Sequence, residues 1–411
     1  MSYETPKTDW TKADAPTKND MNRIEGNTEE LNNVTVKTNT SVTITAQHTI
    51  DTTDTPFILG ANAKTKLVEK LNVEMLDGFR VNEILKPNIL DNNPVMKFIT
   101  LFGDLTGDYK WSGGVLAPNG KIYAIPYNST QVLEINPKTH ELNLFGSLSS
   151  DNNKWSGGVL APNGKIYGIP LNATQVLEID PETQSTALFG SLSGLNKWYG
   201  GVLAPNGKIY AIPHDSTQVL EIDPETQNIT LFGNLSGTYK WWGGALAPNG
   251  KIYGIPFNST QVLEIDPEMQ QTALFGNLTG NYKWADGVLA YNKKIYGIPS
   301  NATQVLEIDP ETHQITLFGS LSSNTAKWRG GVLAPNDRIY CIPHQYDTTQ
   351  VLEIDPYKRE TVLFGNIPQE NLRWTGGILA PNGKIYGIPY SNTQILCLQL
   401  VSYFSPYLNK F

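Results

Sequence analysis

The residue types best suited to hold a ligand form one recurring pair. Lysine stands directly before tryptophan at Lys110-Trp111, Lys154-Trp155, Lys197-Trp198, Lys240-Trp241, Lys283-Trp284 and Lys327-Trp328, and Arg373-Trp374 closes the series. An indole beside ammonium, amide and hydroxyl groups suits a sugar, which offers an apolar face and a rim of hydroxyls. Each pair precedes a glycine-rich strand and shares a face with an Ile-Pro-x-Asn-x-Thr-Gln connection such as Ile125 to Gln131. Seven weak sites on one face would gain by avidity against a repetitive surface. The same tryptophan also suits a second role, a wedge between neighbouring repeats, and the sequence leaves both open.

Other chemistry is thin. His48, His140, His214, His313 and His344 do not share a repeat position. Glu134, Glu178, Glu221, Glu264, Glu307 and Glu353 recur within apolar strands and read as groups at blade edges or between blades. No second acid recurs at the spacing of a glycosidase pair. Cys341 and Cys397 lie far apart, outside any metal-type spacing. The expectation is a protein that is not an enzyme, with no catalytic residues, no metal and no cofactor.

The elements that position the Lys-Trp pairs follow from their spacing. Successive tryptophans are 44, 43, 43, 43, 44 and 46 residues apart, the length of a four-stranded propeller blade. In the first copy Gly113 to Pro118 reads as a strand, Asn119-Gly120 as a type I′ hairpin turn, and Lys121 to Pro126 as its partner. Gln131 to Asn136 is a third strand, and Leu142 to Gly146 a fourth. The glycine pair fits innermost strands that crowd at an axis. Seven copies of the first three strands exist, but only six are followed by a fourth. The missing one stands alone ahead of the first copy, at Phe98 to Gly103. The fold expected is therefore all-β: a seven-bladed propeller over residues 96–400, sealed by strand 98–103, which removes open sheet edges.

Composition limits the partners. The 411 residues carry a formal charge of −8 without a basic block, which argues against binding to nucleic-acid phosphates. No apolar run approaches the roughly 20 residues of a membrane-spanning helix, and the polar start, Met1 to Lys7, lacks the pattern of a secretory signal. The triplets Asn128-Ser129-Thr130 and Asn172-Ala173-Thr174 match glycosylation acceptors and read as ordinary loop polarity.

Residues 1–95 lack the repeat. Thr17 can cap a helix reaching about Asn32, with Met21, Ile24 and Leu31 on one thin stripe that needs a partner. Residues 34–95 begin as a threonine-rich extended linker, and 67–85 reads as a short helix and turn; residues 401–411 form a tail. Trp10-Thr11 followed by Pro16 to Asn27, with Met21-Asn22-Arg23-Ile24 at its centre, resembles the N-terminal segment of tail and baseplate-associated proteins from phages of Gram-positive bacteria. Leu71 to Phe79 resembles an Asn-Ala-Asp-Leu-Leu-Asp-Gly-Tyr-His motif of phage tail fibres, departing at Val73, Glu74 and Phe79 and lacking the histidine. Together these cover about 30 residues.

The resemblance implies a virion tail fibre or receptor-binding protein, or its counterpart in a phage-derived extracellular particle. Residues 1–33, through Trp10 and Met21 to Ile24, would attach to tail or baseplate proteins. The propeller would bind a host cell-surface saccharide or other receptor during attachment. Trimers are usual among such fibres. Two other readings remain: a polysaccharide-degrading tailspike, and an architectural baseplate propeller without a ligand.

Overall fold

The computed structural model describes residues 96–345, 348–368 and 374–401, together with four dipeptide strands ahead of them. Those four form two antiparallel pairs, Val36–Lys37 with Thr43–Ile44 and Met75–Leu76 with Phe79–Arg80. The second pair falls within the span 67–85 where a short helix and turn was expected, and the rest of that span lies outside the described residues. The expected helix over 17–32, Trp10, Met21 to Ile24, Arg373 and residues 402–411 lie outside the described residues. The chain divides into two units, residues 97–400 and residues 1–96 with 401–411.

Residues 97–400 hold the seven-bladed propeller, and no helix occurs among the described residues. Blade 1 runs Trp111–Leu116, Ile122–Pro126, Val132–Ile135 and Leu142–Phe145, each strand antiparallel to the next. The second and third strands are wholly buried, because neighbouring blades cover both their faces. The first hairpin differs from expectation in one detail. Gly120 has φ +77° but Asn119 does not have positive φ, and Gly120 N donates to Ala117 O at 3.0 Å. Pro118 presets a type I turn, and the glycine follows as a left-handed bulge residue.

Blade 7 contains Trp374–Leu379, Ile385–Pro389 and Ile395–Val401, and its outer strand is Met96–Phe102. The lone strand therefore seals the ring as expected. Blade 1 locks onto this seam. Tyr386 Oη donates to Pro137 O at 3.0 Å, and Phe102 stacks on His140 with centroids 4.2 Å apart.

Five of the junctions repeat one polar knot. Glu134 accepts from Lys121 Nζ at 2.8 Å, from Tyr123 Oη at 2.8 Å, and from Gln184 of the next blade at 3.0 Å. Burial alone would raise this carboxyl, but the bonds from Lys121, Tyr123 and Gln184 outweigh it and hold the pKa below 4.5. Glu178, Glu221, Glu264 and Glu307 are held low by the same balance, with His313 and Arg359 replacing the glutamine at the last two. The recurrent glutamates are thus cross-blade ties.

The innermost strand of every blade carries a bulge. In blade 1 Trp111 pairs with Pro126 but Gly114 pairs with Ala124, so one extra residue stands between them. Gly113 fills it with φ +77°, and a Cβ there would lie 3.2 Å from Gly157 Cα of the next blade. Such a bulge bends the strand and re-aims the residue beside it. That residue is Ser112 in blade 1 and a different side chain in most other blades.

Candidate functional site: an aromatic cup on the axis

The Lys-Trp pairs lie inside the wall of the ring. Trp111, Trp155, Trp198, Trp241, Trp284, Trp328 and Trp374 are each 3% exposed or less. Each indole N–H donates to the backbone of the following connection, as Trp111 Nε1 does to Gln131 O at 2.9 Å. The tryptophans appear in the separate apolar clusters that fill the gaps between blades. Lys197 Nζ donates to Leu171 O, Ala173 O and Gly194 O at 2.9–3.0 Å, and so ties one blade's loop to the previous blade. Lys240 and Lys283 repeat this cage; Lys110, Lys154 and Lys327 are also buried against carbonyls. Burial pulls these six ammonium groups down to about 8, which leaves them charged at neutral pH. The wedge reading fits this geometry. Rings this enclosed have no face to give a sugar; among their neighbours Trp242, Arg329 and the tyrosines Tyr109, Tyr239 and Tyr282 keep exposed surface, whereas Tyr127, Tyr199, His214, Phe257 and Tyr390 are 2–8% exposed and form the packed floor beneath them.

Those neighbours build a cup at the axis. The position after each tryptophan reads Ser112, Ser156, Tyr199, Trp242, Ala285, Arg329 and Thr375. The position after each Ile-Pro reads Tyr127, Leu171, His214, Phe257, Ser300, His344 and Tyr390. Tyr127, Leu171, Tyr199, Tyr390 and Trp242 pack as one cluster drawn from five blades, which only side chains converging on the axis can do. Tyr199 stacks on Trp242 at 3.5 Å between centroids, and Phe257 leans on the same indole at 4.8 Å. Tyr127 and Tyr390 meet edge-on at 5.3 Å. Arg329 reaches from blade 6 past the small Ala285 and lays its guanidinium 4.5 Å above the Trp242 ring.

A second tier forms the rim. Tyr109, Tyr239 and Tyr282, each directly before a wall lysine, are 39–44% exposed. They have φ of 52–54°, and Tyr239 N and Tyr282 N are clamped by Asp215 Oδ1 and Asn258 Oδ1 at 2.6 and 2.7 Å. Their rings overhang the cup: Tyr109 against Tyr390 at 5.1 Å, Tyr239 against His214 at 4.9 Å, Tyr282 against Phe257 at 5.2 Å. In blades 1 and 2 the position after the tryptophan is polar, and Ser112 and Ser156 share a 3.0 Å hydrogen bond.

Burial first, and then the phenols of Tyr199 and Tyr390, keep the Tyr127 hydroxyl protonated far above its ordinary range. Burial also lowers His214 below 6.5, with Arg329 among the cations adding to the effect, so this imidazole is neutral at pH 7. Its Nδ1 lies 3.1 Å from Trp241 O; with the proton there, Nε2 keeps its lone pair. His344 Nδ1 makes the matching contact with Trp374 O at 2.8 Å. Among the described residues no His, Cys, Asp and Glu group has a metal-binding arrangement.

Sequence reasoning missed the cup by one residue on either side of each Lys-Trp pair. The available signal was variation: these columns differ among copies that otherwise nearly repeat. Asp286 breaks the run of bulge glycines in blade 5.

No protein-family model matches the chain, and no curated protein matches it. Solved structures do. A streptogramin B lyase is 12% identical with a TM-score of 0.64, over 74% of this chain and 98% of that one. A catalytically inactive histidine-to-alanine variant of virginiamycin B lyase from Staphylococcus aureus with quinupristin matches at 11% identity and TM-score 0.64, over 74% and 100%. The extracellular domain of a hybrid two-component system from B. thetaiotaomicron matches at 11% and 0.57, over 75% of this chain and 44% of that one. At these identities the likeness is one of fold. It nevertheless overturns the expectation of a protein that is not an enzyme, because lyases are built on the same ring. What this chain is similar to includes enzymes, sensors and the propeller fold in general.

Proposed function

We propose that the chain is a receptor-binding protein of a phage tail or phage-derived particle, and that its axial cup engages a saccharide on the host cell surface. The single observation that carries the ligand site is the contrast between constant wall and varied cup. Side chains that each blade needs for packing repeat in every copy, whereas the two axial columns and the rim carry aromatic, imidazole and guanidinium groups in an asymmetric order. Stacked and overhanging rings with nearby hydroxyls suit the faces and rims of sugars. The tail role rests on the N-terminal motifs, with Trp10 and Met21 to Ile24 as the attachment segment and a trimer as the working assembly. The test is adhesion of labelled chain to Gram-positive cells and to their extracted wall polysaccharides. Trp242→Ala and Tyr239→Ala should abolish adhesion while the ring stays folded; full adhesion by both variants would refute the cup.

A second reading has one specific observation in its favour. His214, 2% exposed, is a neutral imidazole whose Nδ1 lies 3.1 Å from Trp241 O, and a neutral imidazole is the form that acts as a general base. The matching lyase structure includes a catalytically inactive histidine-to-alanine variant. Incubating the chain with a wall polysaccharide, or with a streptogramin B, and finding bond cleavage that His214→Ala removes would establish this reading, as would a loss of polymer viscosity.

A further inference from the structure

Arg329 carries a cation into the cup. Its guanidinium is half-buried on the Trp242 face, and no carboxylate among the described residues pairs with it. Its Nε is sealed from solvent and has no hydrogen-bond partner. Ser300 Oγ, in a side chain 1% exposed, is likewise unpartnered. Ser300 occupies in blade 5 the place of His214 in blade 3, and its carbonyl accepts from Lys327 N at 3.1 Å, at the root of the strand carrying Arg329. Two orphaned donors thus stand on adjacent blades, 5 and 6. Buried donors are almost always paired, and leaving one unpaired carries the full desolvation cost.

Resting on the reading of the cup as a ligand site, we infer that the ligand enters with an anionic group, a carboxylate or phosphate carried on a saccharide, and that Arg329 receives it. A guanidinium presents parallel N–H donors that match the two oxygens of such a group, and it stays charged while stacked on an indole. The surrounding rings would cover the sugar that bears the anion. Because the whole chain carries −8, this cation is no part of a general basic surface. Attraction must come from the cup itself.

The test is an array of neutral glycans, uronate-bearing glycans and glycerol-phosphate-bearing glycans probed with the full chain. Binding to one or both acidic classes is expected, with matched neutral glycans at least about tenfold weaker. Arg329→Gln should lose that preference at unchanged melting temperature, Arg329→Lys should recover part of it, and rising salt should weaken wild-type binding. Whichever acidic class is retained identifies the source of the anion. Equal binding to neutral glycans, or acidic binding untouched by Arg329→Gln, overturns this inference while a loss in Trp242→Ala preserves the cup. Absence of binding to every glycan overturns both.

Discussion

Asp286 makes the blade-5 bulge the least comfortable place in the ring, and Asp286→Gly should stabilise the protein. The residue has φ +81°, where six other blades carry glycine with φ between 67° and 84°. An L-residue there costs about 1–2 kcal/mol. The side chain is half-buried at the crowded axis, and burial pushes its pKa from 3.8 to about 6 despite the amide bonds from Gly287 and Gly331. A rise of that size corresponds to about 3 kcal/mol lost once the acid is ionised. The sign follows from proton binding. Between 3.8 and about 6 the folded state holds the proton more tightly, so stability falls as pH rises through that window. The substitution should therefore gain about 1–2 kcal/mol at pH 4 and about 4 kcal/mol at pH 7.5. Thermal and urea unfolding of both proteins at the two pH values measures this directly. A glycine variant that is less stable, or whose gain does not grow with pH, would show that the carboxylate has a favourable partner and that the strain argument fails.

The remaining predictions concern the wall and the seam. Trp155→Ala should cost about 3–5 kcal/mol, because the ring is fully enclosed between blades, whereas Trp242→Ala in the cup should lower the melting temperature far less; calorimetry separates them. The cross-blade glutamates have folded pKa values below 4.5, so their stabilisation is complete above that pH and is lost as pH falls through the folded values. Acid titration followed by circular dichroism should show Glu178→Gln less acid-sensitive than wild type, though less stable at pH 7. Deleting residues 97–103 removes the outer strand of blade 7 and bares the edge of its third strand. Sedimentation should then reveal association of a ring that melts well below wild type.

The fold was legible because every blade needs the same contacts. The Trp period set the blade length, and counting strands exposed the missing fourth one, which Met96–Phe102 supplies. Repetition also misled the search for a site. A tryptophan present in every copy is what a junction requires; Trp111 and its equivalents fill gaps, and the lysines beside them cage loop carbonyls. Function in a closed ring concentrates at the one place where the copies meet each other across the axis, and there symmetry must break if the ligand is asymmetric. Tyr199, Trp242 and Arg329 follow tryptophans, but nothing in a linear reading shows that a bulge turns them inward. The turn at Asn119-Gly120 was misassigned because Pro118 had been left with the strand, although its fixed φ selects a type I turn.

A crystal structure of the ring soaked with the glycan it retains best would locate the ligand without reference to any variant. The sugar should lie over Trp242, within the overhang of Tyr239 and Tyr282, with its charged group on Arg329. Density on the outer strands, or in the hollow of about 380 Å³ beside Lys240 and Ser259, with the cup empty, would contradict the account.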